Sequence, residues 1–267
     1  MWIDLYTRCW NDAAMLGFFF RHYDGLVQRY IVFDDGSTDA SLDILASNPK
    51  VEIRRMPEGE DCESRIISSH AVVDTCWQES RGLADWVIVT DIDEHLYHPE
   101  MKAYLAERER EGVTIIPSLG YQMLSEEFPQ PGLLLCESLT RGAPFLAASK
   151  LNIFSPGAIQ ATRFGLGRHT ADPIGDVVAP ARDELRLLHY KYLGFERTQR
   201  RHEEYLTRQR KNDLKRGLGY QYSWTRDELA LIWSATAAQL VDVREPYPLD
   251  REEVVAPLWW ETFRRSD

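Results

Sequence analysis

A chain of 267 residues, 44% of them hydrophobic, is long enough to bury the core of one large α/β domain and to carry an appendage. With 31 Lys and Arg against 42 Asp and Glu its formal net charge is −11, which repels phosphate backbones and excludes nucleic acid as a partner. Cys9, Cys62, Cys76 and Cys136 form no C-x-x-C pair, which excludes a zinc cluster or a thioredoxin-type site and suits a reducing compartment.

No basic segment followed by an apolar one opens the chain, and the longest apolar run, near Ala13 to Phe20, is too short to span a bilayer. The expected location is the cytoplasm, with any membrane contact peripheral at the inner face. Ile3 to Tyr6 reads as a strand, and Asn11 to Gln28 as a helix with Leu16, Phe20, Tyr23 and Val27 on one stripe. Tyr30 to Phe33 is a second strand, running into Asp34-Asp35-Gly36-Ser37, where Ser37 is placed to cap the next helix. Val51 to Ile53 is a third strand, Asp61 to Gly82 a helix, and Trp86 to Val89 a fourth strand, apolar on both faces. This alternation predicts an α/β fold with a mostly parallel sheet flanked by helices. Beyond Leu119 the pattern becomes irregular, with strands expected at Phe145 to Phe154 and Leu185 to Tyr192. Phe195 to Arg216 reads as a charged helix, and Thr225 with Glu228 has the spacing of a capping box that opens another. The expected division is a catalytic domain over 1–193, split near residue 118, followed by a helical extension over 194–267.

In an open α/β sheet, ligands bind beyond the carboxyl ends of the strands. Tyr6-Thr7, Asp34 to Ser37, the helix start near Arg65, and Thr90 to Glu94 converge there. Asp91 and Asp93, two apart at the end of a buried strand, can point the same way and suit Mg²⁺ or Mn²⁺, or they form an acidic turn capping the next helix. Gly36 permits a tight turn; a carboxylate beside it either accepts from a base N–H or ribose hydroxyl, or simply belongs to a capped turn. His95 and His98, close behind the D-x-D, are either extra metal ligands or, as expected, a helix-start cluster beside acidic residues. The basic residues of 197–216 are either a solvated face or a wall toward an anionic acceptor or membrane lipid. Trp259-Trp260 either packs in the core, stacks on a sugar or docks a second subunit as a homodimer.

Taken together, Leu5-Tyr-Thr-Arg-Cys-Trp-Asn11-Asp12, Ile31-Val-Phe-Asp34-Asp35-Gly36-Ser37-Thr38-Asp39 and Asp91-Ile-Asp93-Glu94 resemble the family-2-type glycosyltransferases of GT-A fold, in the D-x-D-E form of a bacterial subgroup. The likeness covers roughly the first hundred residues; Asp12 stands where Glu is usual. It implies transfer of a sugar from a nucleotide-sugar donor to an acceptor glycan, lipid-linked sugar or small molecule, with Mn²⁺ or Mg²⁺ and inversion. By the resemblance Tyr6, Thr7, Asp35 and Gly36 hold the nucleoside, Asp34 supports the turn, and Arg65 lies near the donor. Asp91 meets ribose or metal, and Asp93 binds the metal. Lys150-Leu-Asn-Ile-Phe, Gly167-Arg-His169 and Leu188-His189-Tyr-Lys191 resemble the same subgroup, which implies Lys150 at the substrate, His189 in the metal shell and Lys191 on a phosphate. Asp172 is the expected general base, with His169, Asp176 and Glu137 as rivals. No Q-x-x-R-W signature is present, so a processive synthase is not expected. The competing reading is a non-catalytic nucleotide- or sugar-binding protein of the same fold. A haloacid-dehalogenase phosphatase ranks low because the D-x-D follows the fourth strand, and a nucleotidyltransferase because no Gly-rich phosphate loop stands near the N-terminus.

Overall fold

The computed structural model describes residues 1–57, 63–248 and 258–265. The expected helix start at Asp61, and Cys62, lie outside them. β1 (Ile3–Cys9), α1 (Ala13–Tyr23), β2 (Arg29–Asp34), α2 (Ser41–Ser47), β3 (Val51–Arg55), α3 (Arg65–Thr75) and β4 (Trp86–Val89) follow the expected alternation. Their strands lie side by side in the order β4-β1-β2-β3, all parallel. Because strand side chains alternate, each strand feeds two cores. Ile3 and Leu5, Tyr30 and Val32, and Trp86 and Ile88 pack with Leu16, Phe19, Phe20 and Tyr23 of α1. Tyr6, Ile31 and Phe33, and Val87 and Val89 pack on the other face with Val73 of α3 and Trp77. Truncating a fully buried member to alanine costs roughly 2–5 kcal/mol.

The chain continues through β5 (Glu94–Tyr97), α4 (Met101–Arg110), β6 (Ile115–Ser125), α5 (Leu135–Ser138), β7 (Arg141–Pro144), β8 (Lys150–Phe154), β9 (Ile159–Ala161), β10 (Ile174–Gly175) and β11 (Arg186–Leu193). It closes with α6 (Phe195–Thr207), α7 (Lys211–Lys215), α8 (Arg226–Ala237) and β12 (Val241–Asp242). β8 runs antiparallel between β4 and β6, so the sheet crosses the division expected near residue 118 and grows to ten strands. β11 lies parallel to β6 and antiparallel to β5. The observed class is therefore the expected α/β class, with a central parallel block flanked by helices.

Several local expectations change. β1 runs on to Cys9, because β2 continues beside it until Cys9 pairs with Asp34. Glu94 and His95 open a strand rather than a helix; His95 is fully buried and stacks on His22 at 4.6 Å. The Ser37 hydroxyl accepts from the Asn11 amide at 3.0 Å instead of capping α2. The charged stretch from Phe195 is two helices. The capping box at Thr225 and Glu228 is formed. Trp260 is buried in the core and donates to Asp183 at 2.8 Å, so this indole is presented neither to a sugar nor to a second subunit. Among the described residues no helix is long and apolar enough to cross a membrane.

Candidate active site

A cleft of about 540 Å³ opens beyond the carboxyl ends of β1, β2 and β4. Its floor is Arg8 to Trp10, Asp35 and Asp91 to Glu94; its walls are the start of α3, Gly167 to His169 and His189 to Lys191; α6 and the stretch 217–222 roof it. α3 is held in place by two acceptors. Ser64 accepts from the Ile67 amide at 3.1 Å, and the buried Asp213 of α7 accepts from the Arg65 amide at 3.1 Å, a favourable place for a carboxylate at a helix start.

The turn after β2 is built by Asp34, which accepts from the amides of Gly36 at 3.0 Å and Ser37 at 3.2 Å. Gly36 has φ +79°, where a side chain is strained. Asp35 is thereby turned into the cleft, where Arg208 meets its carboxylate at 2.9 Å and Arg65 at 3.6 Å. Arg208 also donates to the Asp35 carbonyl at 2.7 Å, and its guanidinium lies 3.9 Å from the centre of the Trp10 ring.

The floor is a ladder of alternating charge. Arg8 donates to one oxygen of Asp91 at 2.7 and 3.1 Å, and Arg168 lies 3.3 Å from the other. Arg168 also donates to Glu94 at 2.9 Å, and Glu94 pairs with Lys150. Burial alone raises a carboxyl group, but Arg8 and Arg168 overcome it at Asp91, and Lys150 and Arg168 overcome it at Glu94, so both stay ionised well below their usual range. Two residues expected at the substrate find partners within the chain. Asp91, expected at ribose or metal, meets guanidinium groups at both oxygens and lines the cleft. Lys150, buried against Glu94, is neutralised within the floor rather than offered to substrate. Arg168 reaches this place from a left-handed backbone, φ +63°, directly after Gly167 at φ +75°. A Cβ on Gly167 would stand 2.7 Å from the His169 ring, so the glycine lets that ring fold back over the chain at the rim of the cleft.

Asp93 faces His189, with carboxylate oxygen and Nε2 at 3.5 Å. Burial pushes the Asp93 carboxyl up, but His189 beside it brings it down to about 2, so it is an anion at neutral pH. Among the described residues no three His, Cys, Asp or Glu side chains gather as a metal cage. One hard oxygen and one imidazole nitrogen nevertheless fit Mg²⁺ or Mn²⁺, which bind through few protein ligands and take the rest from phosphate and water. Lys191 lies on the same strand face as His189, both lining the cleft.

Tyr6 and Thr7 are a further correction: both are buried mid-strand and do not line the cleft. The Tyr6 hydroxyl instead meets Ser80 at 2.7 Å and Glu79 at 3.1 Å. Because β1 is longer than expected, Arg8, Cys9 and Trp10 occupy the strand end. Asp172, the expected base, is corrected as well: its side chain is 74% exposed, pairs with the exposed Arg163 at 3.1 Å, and is not part of the cleft wall. Glu137 and Asp176 lie off the wall too, whereas His169 is on it. Arg8, Trp10, Arg168 and Tyr205 line the cleft with no mark in the local sequence, whereas Arg197, Arg201 and Arg208 bring to it the basic run after Phe195, as a wall rather than a solvated face.

Eight Lys and Arg residues line the cleft against five carboxylates, in a chain whose formal charge is −11. Cations are thus concentrated where a phosphorylated ligand needs them.

No family model matches the chain, and no curated protein matches it. Among solved structures it resembles S. aureus TarS 1-349 in complex with UDP, at 12% identity and TM-score 0.37, over 58% of this chain and 47% of that one. It also resembles glucosyl-3-phosphoglycerate synthase from Mycobacterium tuberculosis in complex with Mn²⁺, UDP and glucosyl-3-phosphoglycerate. There the identity is 20% and the TM-score 0.31, over 45% of this chain and 44% of that one. The chain spans less than half the length of either.

Proposed function

We propose that the protein is a metal-dependent glycosyltransferase that moves a sugar from a nucleoside-diphosphate sugar to an acceptor hydroxyl, with inversion and without processivity. The observation that carries this reading is the convergence of Asp35, Asp93 and His189 with a surplus of cations in one cleft at the strand ends. Asp35, beside Trp10 and the guanidinium groups of Arg65 and Arg208, is suited to the nucleoside: a carboxylate accepts from base N–H or ribose hydroxyl, and the indole offers a stacking face. Asp93 and His189 would hold Mn²⁺ or Mg²⁺, and the ion would offset the charge that develops on the departing diphosphate. Lys191 adds a compact positive charge on the same side. Asp91 and Glu94 contribute indirectly, fixing Arg8, Arg168 and Lys150 so that the floor does not reorganise as charge moves across it. His169, at the rim and free to present a neutral imidazole near pH 7, takes the proton from the acceptor hydroxyl. The resemblance of the strand-end motifs to the family-2-type glycosyltransferases suggests inversion by a single displacement, and the missing Q-x-x-R-W run supports a single transfer per encounter.

The test is release of nucleoside diphosphate from UDP-, GDP- and dTDP-sugars with and without Mn²⁺. Metal-dependent release by the intact chain, lost in Asp93→Asn and in His189→Ala, is expected. Nucleotide binding without any release would instead assign a non-catalytic binding protein. Release indifferent to both substitutions would overturn the metal assignment.

A further inference from the structure

Most cations in the cleft already have an acid. Arg8 and Arg168 hold Asp91, Lys150 holds Glu94, Arg65 and Arg208 hold Asp35, and Arg201 meets Asp12 at 3.0 Å. Arg197 and Lys191 differ. Among the described residues neither has a carboxylate within 4 Å; aromatic faces hold them instead, Arg197 at 4.4 Å from the Phe128 ring centre and Lys191 at 5.0 Å from that of Tyr222. Beside Lys191, His202 is 2% exposed and lines the cleft, its ring against the Gln221 backbone and edge-on to Tyr222. Cations left without acids in a cleft call for an anionic group supplied from outside the chain.

Charge and topology say what that group is. A nucleoside-diphosphate sugar brings about two negative charges, one per esterified phosphate. A divalent cation at Asp93 and His189 cancels them and leaves the three-charge surplus of the lining whole; without it about one positive charge is left over. Across the sheet the Asp35 turn lies at β2 and Asp93 just beyond β4, while Lys191 lies on β11 and Arg197 on α6. His189 shares β11 with Lys191, so the unpaired cations flank the Asp93 and His189 position, across the cleft from the Asp35 turn.

We infer that the acceptor carries a phosphate ester, bound by Arg197 and Lys191 with His202 behind them. This rests on the nucleotide-sugar reading above. A phosphate monoester brings about −1.5 to −2 charge at pH 7 and several acceptor oxygens, which matches two unpaired donors and a residual positive field.

The test uses the full chain saturated with Mg²⁺ and whichever nucleoside diphosphate stabilises it most, titrated with glycerol 3-phosphate, with glycerol, and with NaCl at matched ionic strength. Glycerol 3-phosphate alone should bind. Arg197→Ala should weaken it roughly tenfold or more, the scale of one charge-assisted hydrogen bond, and Arg197→Lys should retain part of the affinity. The nucleotide response should persist in both variants, which also reports that they fold. Nucleotide binding with no effect of glycerol 3-phosphate beyond salt, or an effect indifferent to Arg197→Ala, overturns the inference and leaves the nucleotide reading standing. Failure of every nucleoside diphosphate to bind overturns both. Sedimentation with vesicles carrying phosphatidic acid separates the sources: Arg197-dependent pelleting assigns the phosphate to a lipid, and its absence alongside glycerol 3-phosphate binding assigns a soluble acceptor.

Discussion

Glu94 answers two buried cations at once, Lys150 and Arg168, and has almost no contact with solvent itself. Glu94→Gln should therefore cost about 3–5 kcal/mol in urea unfolding, the penalty for stranding buried charge. Adding Lys150→Met should recover part of that loss. Asp172→Asn removes only an exposed pair, and should leave both stability, within roughly 0.5 kcal/mol, and transfer rate unchanged. Gly167→Ala meets a left-handed backbone and the His169 ring together; about 1–3 kcal/mol of strain is expected, with slower turnover and unaltered nucleotide binding. At this scale the acidic motifs were legible, because Asp35 and Asp93 are short side chains following buried strands and their position follows from the strand ends. Tyr6 and Thr7 were misplaced because the length of β1 is set by its pairing with β2, a long-range fact. The partners of Asp91, Arg8 and Arg168, come from distant segments that nothing local connects to it.

Among the elements, the parallel block was readable from apolar runs alternating with helical stripes. β8 was less so: a strand that enters the sheet antiparallel between two others has no local mark of where it goes. β5 was read as a helix start because two histidines beside carboxylates look polar, whereas the pleat turns His95 inward against His22. These burials predict a pH response. Burial holds His22 down to about 4 and His202 down to about 3, against about 6.5 when unfolded. Between those values the unfolded chain takes protons that the folded chain refuses, so this stability is complete above about pH 6.5 and is lost as the pH falls through the folded values. Asp12 opposes them. Burial raises its carboxyl to about 7 even with Arg201 alongside, so its contribution is present at low pH and fades as the pH rises toward 7. His95, also lowered by burial, adds to the histidine side. The melting temperature should accordingly fall between pH 6.5 and 4.5, and His22→Phe, which keeps the ring stack and removes one titrating group, should flatten that slope.

For the molecule as a whole, charge segregation is the main feature: an acidic exterior encloses a cleft lined by a cationic excess. Fluorescence anisotropy should detect no binding of single-stranded DNA at about 0.1 M salt, while small phosphorylated ligands still enter, because a Debye length near 10 Å screens the exterior more than the enclosed floor. The helical cover has one more consequence. It is joined to the sheet where Gly194 leaves β11, it is pinned to the start of α3 through Asp213, and the chain returns to the body of the sheet where Trp260 packs and Ala179 bridges Arg264. A cover clasped at both margins does not swing like a door on one hinge. Entry and exit must come from give within its span, near Arg208 and Gly217 to Gly219, so turnover should be throttled by tightening that short passage and not by loosening either clasp.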